Sequence, residues 1–400
     1  MLDALFSQAV IVLEKLEAKG HQAFFVGGAV RDYLLKNPVK DIDIATSATP
    51  TEVQAIFPKV IPVGIEHGTV IVRLKKQSFE VTTFRTEGNY SDFRHPDQVQ
   101  FVNQIGEDLS RRDFTINAIA MDKSGDLYDP FKGQLDIRKQ IISTVGNARD
   151  RFHEDPLRMM RALRFVSQLN FTLEVETLVA IKEKVAWIEE IAVERLAVEF
   201  EKTLAGQAVS DAMVLWSTVQ MWDKLPVFKH DPILVQSMET IQTPLLSLHE
   251  VFAFLKMEAS HVSIKDMVRE WKQSNRTFLM ADKLVRILHL YKQDGIHNWL
   301  LYQLPETLYE AFIRLSRILY QVEIKKTDLL AVVDSLPIQS RKEVELSGTE
   351  LIALYPNREK GDWIATYLNE IEKAIVDGEL LNKKIEIKEW VITCHPPKNN

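Results

Sequence analysis

At 400 residues the chain is longer than one ordinary core needs, so two to four domains are expected. With 46% hydrophobic and 26% charged residues it has the balance of a water-soluble protein, and no stretch nears the ~20 uninterrupted apolar residues that span a bilayer. A net charge of −7 argues against non-specific coating of RNA but leaves room for local basic patches.

The N-terminus has no basic leader region and no small-residue cleavage site. Leu2, Leu5, Phe6, Ala9, Leu13 and Leu16 recur at helical spacing, with Gly20 as a stop, so an amphipathic helix is expected rather than a signal peptide. The single cysteine, Cys394, permits no intramolecular disulfide, which suits a reducing cytoplasm.

The most informative stretch follows, FFVGGAVRDYLLKNPVKDIDIAT, residues 24–46. An apolar run ends in Gly27-Gly28, a helical segment carries Arg31 and Asp32, and Asp41-Ile42-Asp43 comes next. In an extended strand, side chains at i and i+2 share a face, about 7 Å apart. Carboxylates so placed suit a pair of Mg²⁺ ions for in-line displacement at phosphorus. Gly-Gly before a helix lets backbone N–H groups approach a phosphate. Singly, either motif is usually a turn or a solvated strand edge. In this order they point to a nucleotidyl transferase site.

Strands are expected at 23–26, 41–45, 69–74, 79–84 and 116–121, where β-branched and aromatic residues cluster between turn residues. Glu80 lies on one of these, either near the acidic pair or as a structural strand residue. Residues 85–96 are polar, with Gly88 and Pro96, as a loop should be. In SRRDFTINA, residues 110–118, Arg111 and Arg112 offer guanidinium forks to phosphate oxygens, and Asp113 can accept from a ribose hydroxyl. Taken alone, Arg-Arg-Asp is no more than a surface basic pair.

Beyond about residue 149 helical periodicity dominates, at 157–169, 194–204, 264–271 and 278–291. In HEDPLRMMRALRF, residues 153–165, Asp155 before Pro156 reads as an N-cap followed by proline at the first helical position. Arg158, Arg161 and Arg164 follow at three-residue spacing, so Asp155 and Arg158 can face the same way. Solvation of a basic helix face accounts for the same pattern. Breaks near Pro226, Pro232, Pro244 and Pro305 suggest subdomain joints. His230-Asp231 lacks partner histidines and reads as incidental.

GGxVRDxLL followed by DxD resembles the DNA polymerase beta-like nucleotidyltransferase superfamily. More narrowly, it is similar to the first motif of class II tRNA nucleotidyltransferases and bacterial poly(A) polymerases. RRDFTINAIA, EDPLR and ERLAVEF (194–200) resemble the second, third and fourth motifs. SGTEL, GDWI and the residues at 376–382 resemble the family's tail more weakly.

The resemblance implies an α+β architecture: a nucleotidyltransferase head at 1–148, a neck with the base-recognition helix at 149–205, a helical body at 206–300 and a helical tail at 301–400. It implies CTP and ATP as substrates, and the 3′ end and acceptor arm of tRNA as partner, with Mg²⁺ on Asp41 and Asp43. Gly28, Arg31, Arg112, Arg161 and Arg164 would hold the nucleotide, and Asp155 with Arg158 would select the base. The fourth motif would support the template helix. The loop at 85–96 would favour full CCA addition over CC only. A poly(A) polymerase, a partial CC- or A-adding enzyme and a non-catalytic RNA-binding protein stay open as alternatives. A homodimer is compatible with the helical remainder.

Overall fold

The computed structural model describes residues 4–74, 77–88 and 98–396. The chain divides into two compact units, residues 1–244 and 245–400.

The first unit opens with α1 (Ala4–Glu17), whose Phe6, Ala9, Leu13 and Leu16 are fully buried. Gly20 follows with φ 88°, a left-handed turn. Then come β1 (Ala23–Val26), α2 (Gly28–Leu34), β2 (Asp43–Thr46) and α3 (Pro50–Ile56). Thr49 and Glu52 form a capping box at the start of α3. β3 (Val60–Gly64), β4 (Thr69–Leu74) and β5 (Gln77–Thr83) complete one side of a seven-stranded mixed sheet. A separate hairpin, β6 (Arg85–Glu87) with β7 (Val99–Phe101), precedes α4 (Ile105–Ser110). β8 (Ala120–Met121) and β9 (Leu127–Tyr128) close the sheet, in the order β3-β4-β5-β2-β1-β8-β9. Only β2 and β5 run parallel within it.

Two expected strands differ in extent. β2 starts at Asp43, not Asp41, yet burial still alternates through the unpaired residues: Asp41 exposed, Ile42 buried, Asp43 exposed, Ile44 buried. Residues 115–117 form a 3₁₀ turn rather than strand. Their polar side chains bond elsewhere, Asn117 to Asp113 at 3.0 Å and Thr115 to Asp136 at 2.6 Å, and this competes with a ladder.

After α5 (Gly133–Lys139), a short parallel pair joins β10 (Ile141–Ile142) to β11 (Thr172–Leu173). Between them lie α6 (Ala148–Glu154) and α7 (Leu157–Leu169). α8 (Val175–Lys184), α9 (Val193–Leu204), α10 (Val209–Thr218) and α11 (Pro232–Glu239) follow. An aromatic cluster of Phe200, Trp216, Trp222 and Phe228, with neighbouring ring centroids 4.8–6.3 Å apart, anchors α9 and α10. Phe114 meets Phe165 edge-on at 5.6 Å, which seats α7 on the sheet region. Asp231 accepts from the Leu234 N–H as an ordinary helix cap, so the His-Asp dipeptide is structural at its Asp.

Just beyond α9, the position of a Cβ on Gly206 would lie 2.1 Å from Ser167 Oγ and 2.5 Å from the Ser167 carbonyl carbon. Only glycine allows the ends of α7 and α9 to approach so closely. Gly206→Ala is expected to cost about 2–3 kcal/mol. Urea unfolding would show this as a lowered midpoint at constant slope; an unshifted midpoint would contradict the packing argument.

The second unit is helical, with its longest helix at Asn275–Asp294. Leu351, Ile371, Ile375, Ile387 and Val391 centre one core, onto which Trp299, Trp363 and Tyr367 pack. Buried Glu250 pairs with Arg314 at 2.8 Å, and buried Glu372 pairs with Arg341 and accepts from Tyr302 at 2.7 Å. Among the described residues, no helix is long and apolar enough to cross a membrane.

Candidate active site

The site grows from the edge where β1 and β2 end. Val26 is followed by Gly27 with φ 71°, a left-handed conformation that favours glycine. A Cβ there would stand 3.1 Å from Arg112 Nη1 and 3.6 Å from Asp43 Oδ2. The missing side chain is what lets a guanidinium lie against this turn. Arg31, one turn into α2, donates to Asp32 at 2.9–3.0 Å and to Asn117 Oδ1 at 2.8 Å. Its guanidinium also lies 5.1 Å from the Phe165 ring centre.

Asp43 sits between two neighbours in register, Val26 on β1 and Glu80 on β5. Burial raises the pKa of Asp43, and Asp41 raises it further, against the pull of Arg112. Burial and the charge of Asp43 likewise raise Glu80. Asp43 therefore feels both Asp41 and Glu80 as like charges, and a bound cation would relieve that. Among the described residues, no three His, Cys, Asp or Glu side chains converge closely enough to cage an ion alone. A pair of carboxylates fits Mg²⁺ nonetheless, since that ion usually completes its shell with water and substrate phosphates.

α4 supplies the second block. Asp108 is buried and accepts from Arg111 at 2.8 and 3.1 Å and from Arg112 at 3.1 Å. Burial alone would raise its pKa, but the two guanidiniums hold it below the usual range. Arg112 also keeps a buried Nε–H that has no acceptor among the described residues.

Asp113 departs from its expected role. Its Oδ1 accepts from the Phe114 N–H at 2.8 Å and from Asn117 at 3.0 Å, and its Oδ2 accepts from Arg161 Nε at 2.8 Å. Despite burial, Arg161 and Asn117 hold its pKa far below the ordinary value. The carboxylate ties the second block to α7 before any ribose arrives.

The assigned start of α7 is Leu157 with Pro156 as cap, one residue beyond the expected Asp155. Asp155 Oδ1 still accepts from the Leu157 N–H at 3.1 Å, so its side chain caps the turn. Its Oδ2 accepts from Arg195 of α9 at 2.8 Å. Arg158 is almost wholly buried; it donates to Glu154 at 2.6 Å and to the carbonyls of Arg151 and Arg111 at 3.4 and 3.1 Å. Those bonds leave Arg158 Nε–H and one Nη2 proton uncommitted. Arg164 pairs with Glu199 of α9 at 2.8 Å and stacks 4.5 Å over Phe165. Burial, with Arg161 beside it, pushes Arg164 down to about 10, so it remains charged at neutral pH. Its Nε–H is also buried without an acceptor among the described residues.

These groups line two adjoining recesses. One, of about 410 Å³, holds Glu80, Arg111, Asp155, Arg158 and Arg195. The other, of about 460 Å³, holds Gly27, Gly28, Arg31, Asn117, Arg164 and Lys202. Asp43, Arg112, Asp113 and Arg161 belong to both. Every residue expected at the site from sequence lines one recess or the other, except Asp41, which stands exposed two residues from Asp43. Glu80, Arg195, Asn117, Phe165 and Lys202 line the recesses without having been included. The sequence left Glu80 open between a place near the acidic pair and a structural role, and the pairing of β2 with β5 sets it beside Asp43; no local pattern marks Lys202. Of the segment expected as a loop at 85–96, residues 85–87 instead form β6 paired with β7, and positions 89–96 lie outside the described residues.

A family model described as "Poly A polymerase head domain" matches residues 23–143. A second, "Probable RNA and SrmB- binding site of polymerase A", matches 170–227, and a tRNA nucleotidyltransferase domain 2 matches 246–391. The chain is 44% identical over 401 residues to the CCA-adding enzyme of Oceanobacillus iheyensis, covering 100% of both chains. It is 42% identical to that of Anoxybacillus flavithermus, covering 99% of each. Its structure matches a crystal structure of the Bacillus stearothermophilus CCA-adding enzyme in complex with CTP, with a TM-score of 0.88 at 36% identity and 98% coverage of each chain. Full-length identity of this degree, on a shared fold, means that the chain belongs to the family of CCA-adding enzymes, the tRNA nucleotidyltransferases.

Proposed function

We propose that this chain adds C, C and A to the 3′ end of tRNA from CTP and ATP, releasing pyrophosphate. The observation that carries the proposal is the continuity of the two recesses through Asp43, Arg112, Asp113 and Arg161. A nucleotide lying across that junction has its base among Asp155, Arg158 and Arg195 and its phosphates among Gly28, Arg31, Arg112, Arg161 and Arg164. Its α-phosphorus then lies near Asp43.

Asp41 and Asp43 would hold Mg²⁺. When bound, the ion lowers the pKa of the tRNA 3′-hydroxyl and offsets charge on the departing pyrophosphate. Arg31 and Arg112 orient the triphosphate so that the hydroxyl and the leaving oxygen are in line.

Base choice follows from donor and acceptor chemistry. Cytosine and adenine each offer a ring-nitrogen acceptor beside an exocyclic NH₂ donor. Uracil and guanine present a ring N–H beside a carbonyl. Arg158 can only donate, and ionised Asp155 can only accept. The pair therefore matches C and A and leaves groups unpaired against U and G. Arg195 and the Leu157 N–H orient the carboxylate of Asp155, while Glu154 and two carbonyls orient Arg158. The same reading places the reaction in the cytoplasm, with the acceptor arm of tRNA as partner, and includes a homodimer.

The test is addition, with Mg²⁺, to a tRNA transcript ending at the discriminator base, resolved at single-nucleotide length. Two additions with CTP alone and three with CTP plus ATP are expected. Stopping at two in the mixture would mean a CC-adding enzyme, and a long ATP-dependent ladder would mean a poly(A) polymerase. No addition in any mixture would overturn the catalytic reading.

A further inference from the structure

We propose that Lys202, on α9, is a further phosphate ligand of this site, meeting the β- and γ-phosphates of the nucleotide and then the pyrophosphate product. The inference rests on the function proposed above.

Lys202 lines the recess that holds Gly28 and Arg31 and is absent from the one that holds Asp155 and Arg158. Both share Asp43. With the base at one end and the reacting phosphorus at the shared middle, the leaving phosphates extend toward Lys202.

The charge balance of this recess favours the lysine. Arg31, Arg112, Arg161 and Arg164 are each paired, with Asp32, Asp108, Asp113 and Glu199 respectively. Their charge is partly neutralised before any ligand arrives. Lys202 has no carboxylate partner among the described residues and stands exposed at the rim. An ammonium on a flexible stem can follow a phosphate that is first bound and then leaves, whereas the tethered guanidiniums cannot.

Its backbone is nevertheless held. Gln168 Nε2 donates to the Lys202 carbonyl at 3.4 Å, and buried Ser167 and Gly206 bring the ends of α7 and α9 together on either side. Lys202 follows Glu199 by three residues, so it continues the face of α9 that carries the partner of Arg164.

The test compares the full chain with K202Q and K202R. Calorimetry without tRNA measures binding of pyrophosphate and of CTP; single-nucleotide addition measures KM and kcat for CTP and ATP. K202Q is expected to weaken pyrophosphate and both nucleotides alike, by about 5- to 10-fold. The loss should fall on KM more than on kcat, with K202R recovering most of it and the preference for C and A over U and G unchanged. Unchanged pyrophosphate affinity in K202Q would overturn the proposal, as would a loss confined to one base. The two readings separate cleanly. If the wild-type chain binds pyrophosphate through Lys202 but extends no tRNA, the proposed function falls and the phosphate site stands. If it adds CCA and K202Q matches it in every measurement, the phosphate site falls and the function stands.

Discussion

Asp43→Asn is expected to lower kcat for both C and A addition by at least ~10³-fold, because the metal-assisted step is common to every nucleotide added. The substitution keeps the size of the side chain and removes only its charge. Asp43 lies at the end of β2, a strand paired on both sides, where the cleft walls partly desolvate its accessible side chain, and the cores beneath β1 and β2 do not use it. It also raises the pKa of Glu80 and is itself raised by burial and Asp41, so removing its charge relieves repulsion. The thermal midpoint should therefore stay level or rise while activity collapses, the signature of a group retained for function at a cost in stability. Asp41→Ala should give the same kinetic loss. Retention of more than about one tenth of wild-type kcat by Asp43→Asn would sink the assignment of the acidic pair. A lowered midpoint together with lost activity would point to a structural role.

Replacing the template gives the second large effect. Arg158→Met is expected to cut the preference for CTP over UTP, as a ratio of kcat/KM values, by about 10²-fold or more. The bulk of the side chain is kept, while the donors that match cytosine and adenine are lost. Affinity for tRNA should change little, since Arg158 is buried within the cleft and its bonds run to Glu154, Arg151 and Arg111. Burial holds the pKa of Glu154 up, and the nearby Arg158 and Arg151 offset this only in part. Losing Arg158 removes a stabilising charge from a half-buried acid, so a modest fall in thermal midpoint should accompany the change. Arg195→Met should move base choice in the same direction by a smaller factor, because it frees the Asp155 carboxylate without removing it. An unchanged CTP-to-UTP ratio in Arg158→Met, with rates otherwise near wild type, would refute the template role.

The sequence by itself determined the parts of this protein whose physics is local. Gly27 and Gly28 between an apolar strand and a helix can only be a turn open to close approach, and the turn is there with φ 71° at Gly27. Alternation through 41–44 puts Asp41 and Asp43 on one side whether or not the ladder reaches Asp41. Three-residue spacing puts Arg158, Arg161 and Arg164 along one helix, and apolar periodicity sets the bounds of α1 and α7 to within a residue or two.

Tertiary structure alone decided which charges meet across elements distant in the chain. Asp43 neighbours Glu80 only because β2 pairs in parallel with β5, a pairing between segments separated by a helix and two other strands. Asp155 is held by Arg195 and Asp113 by Arg161, 40 and 48 residues away in the chain. Asp113 read locally as a free acceptor and proved to be a tether. An arginine's spacing in sequence reveals that a positive charge is present and on which face. Arg31 and Arg112 are paired with carboxylates close in sequence, Asp32 and Asp108, but whether Arg161, Arg164 and Arg195 are free for a ligand or already neutralised depends on carboxylates brought up by other elements, and no local periodicity encodes their arrival. Lys202 is the clearest case: an ordinary exposed lysine in sequence, it is set at the rim of the cleft by the close approach of α7 and α9 at Gly206.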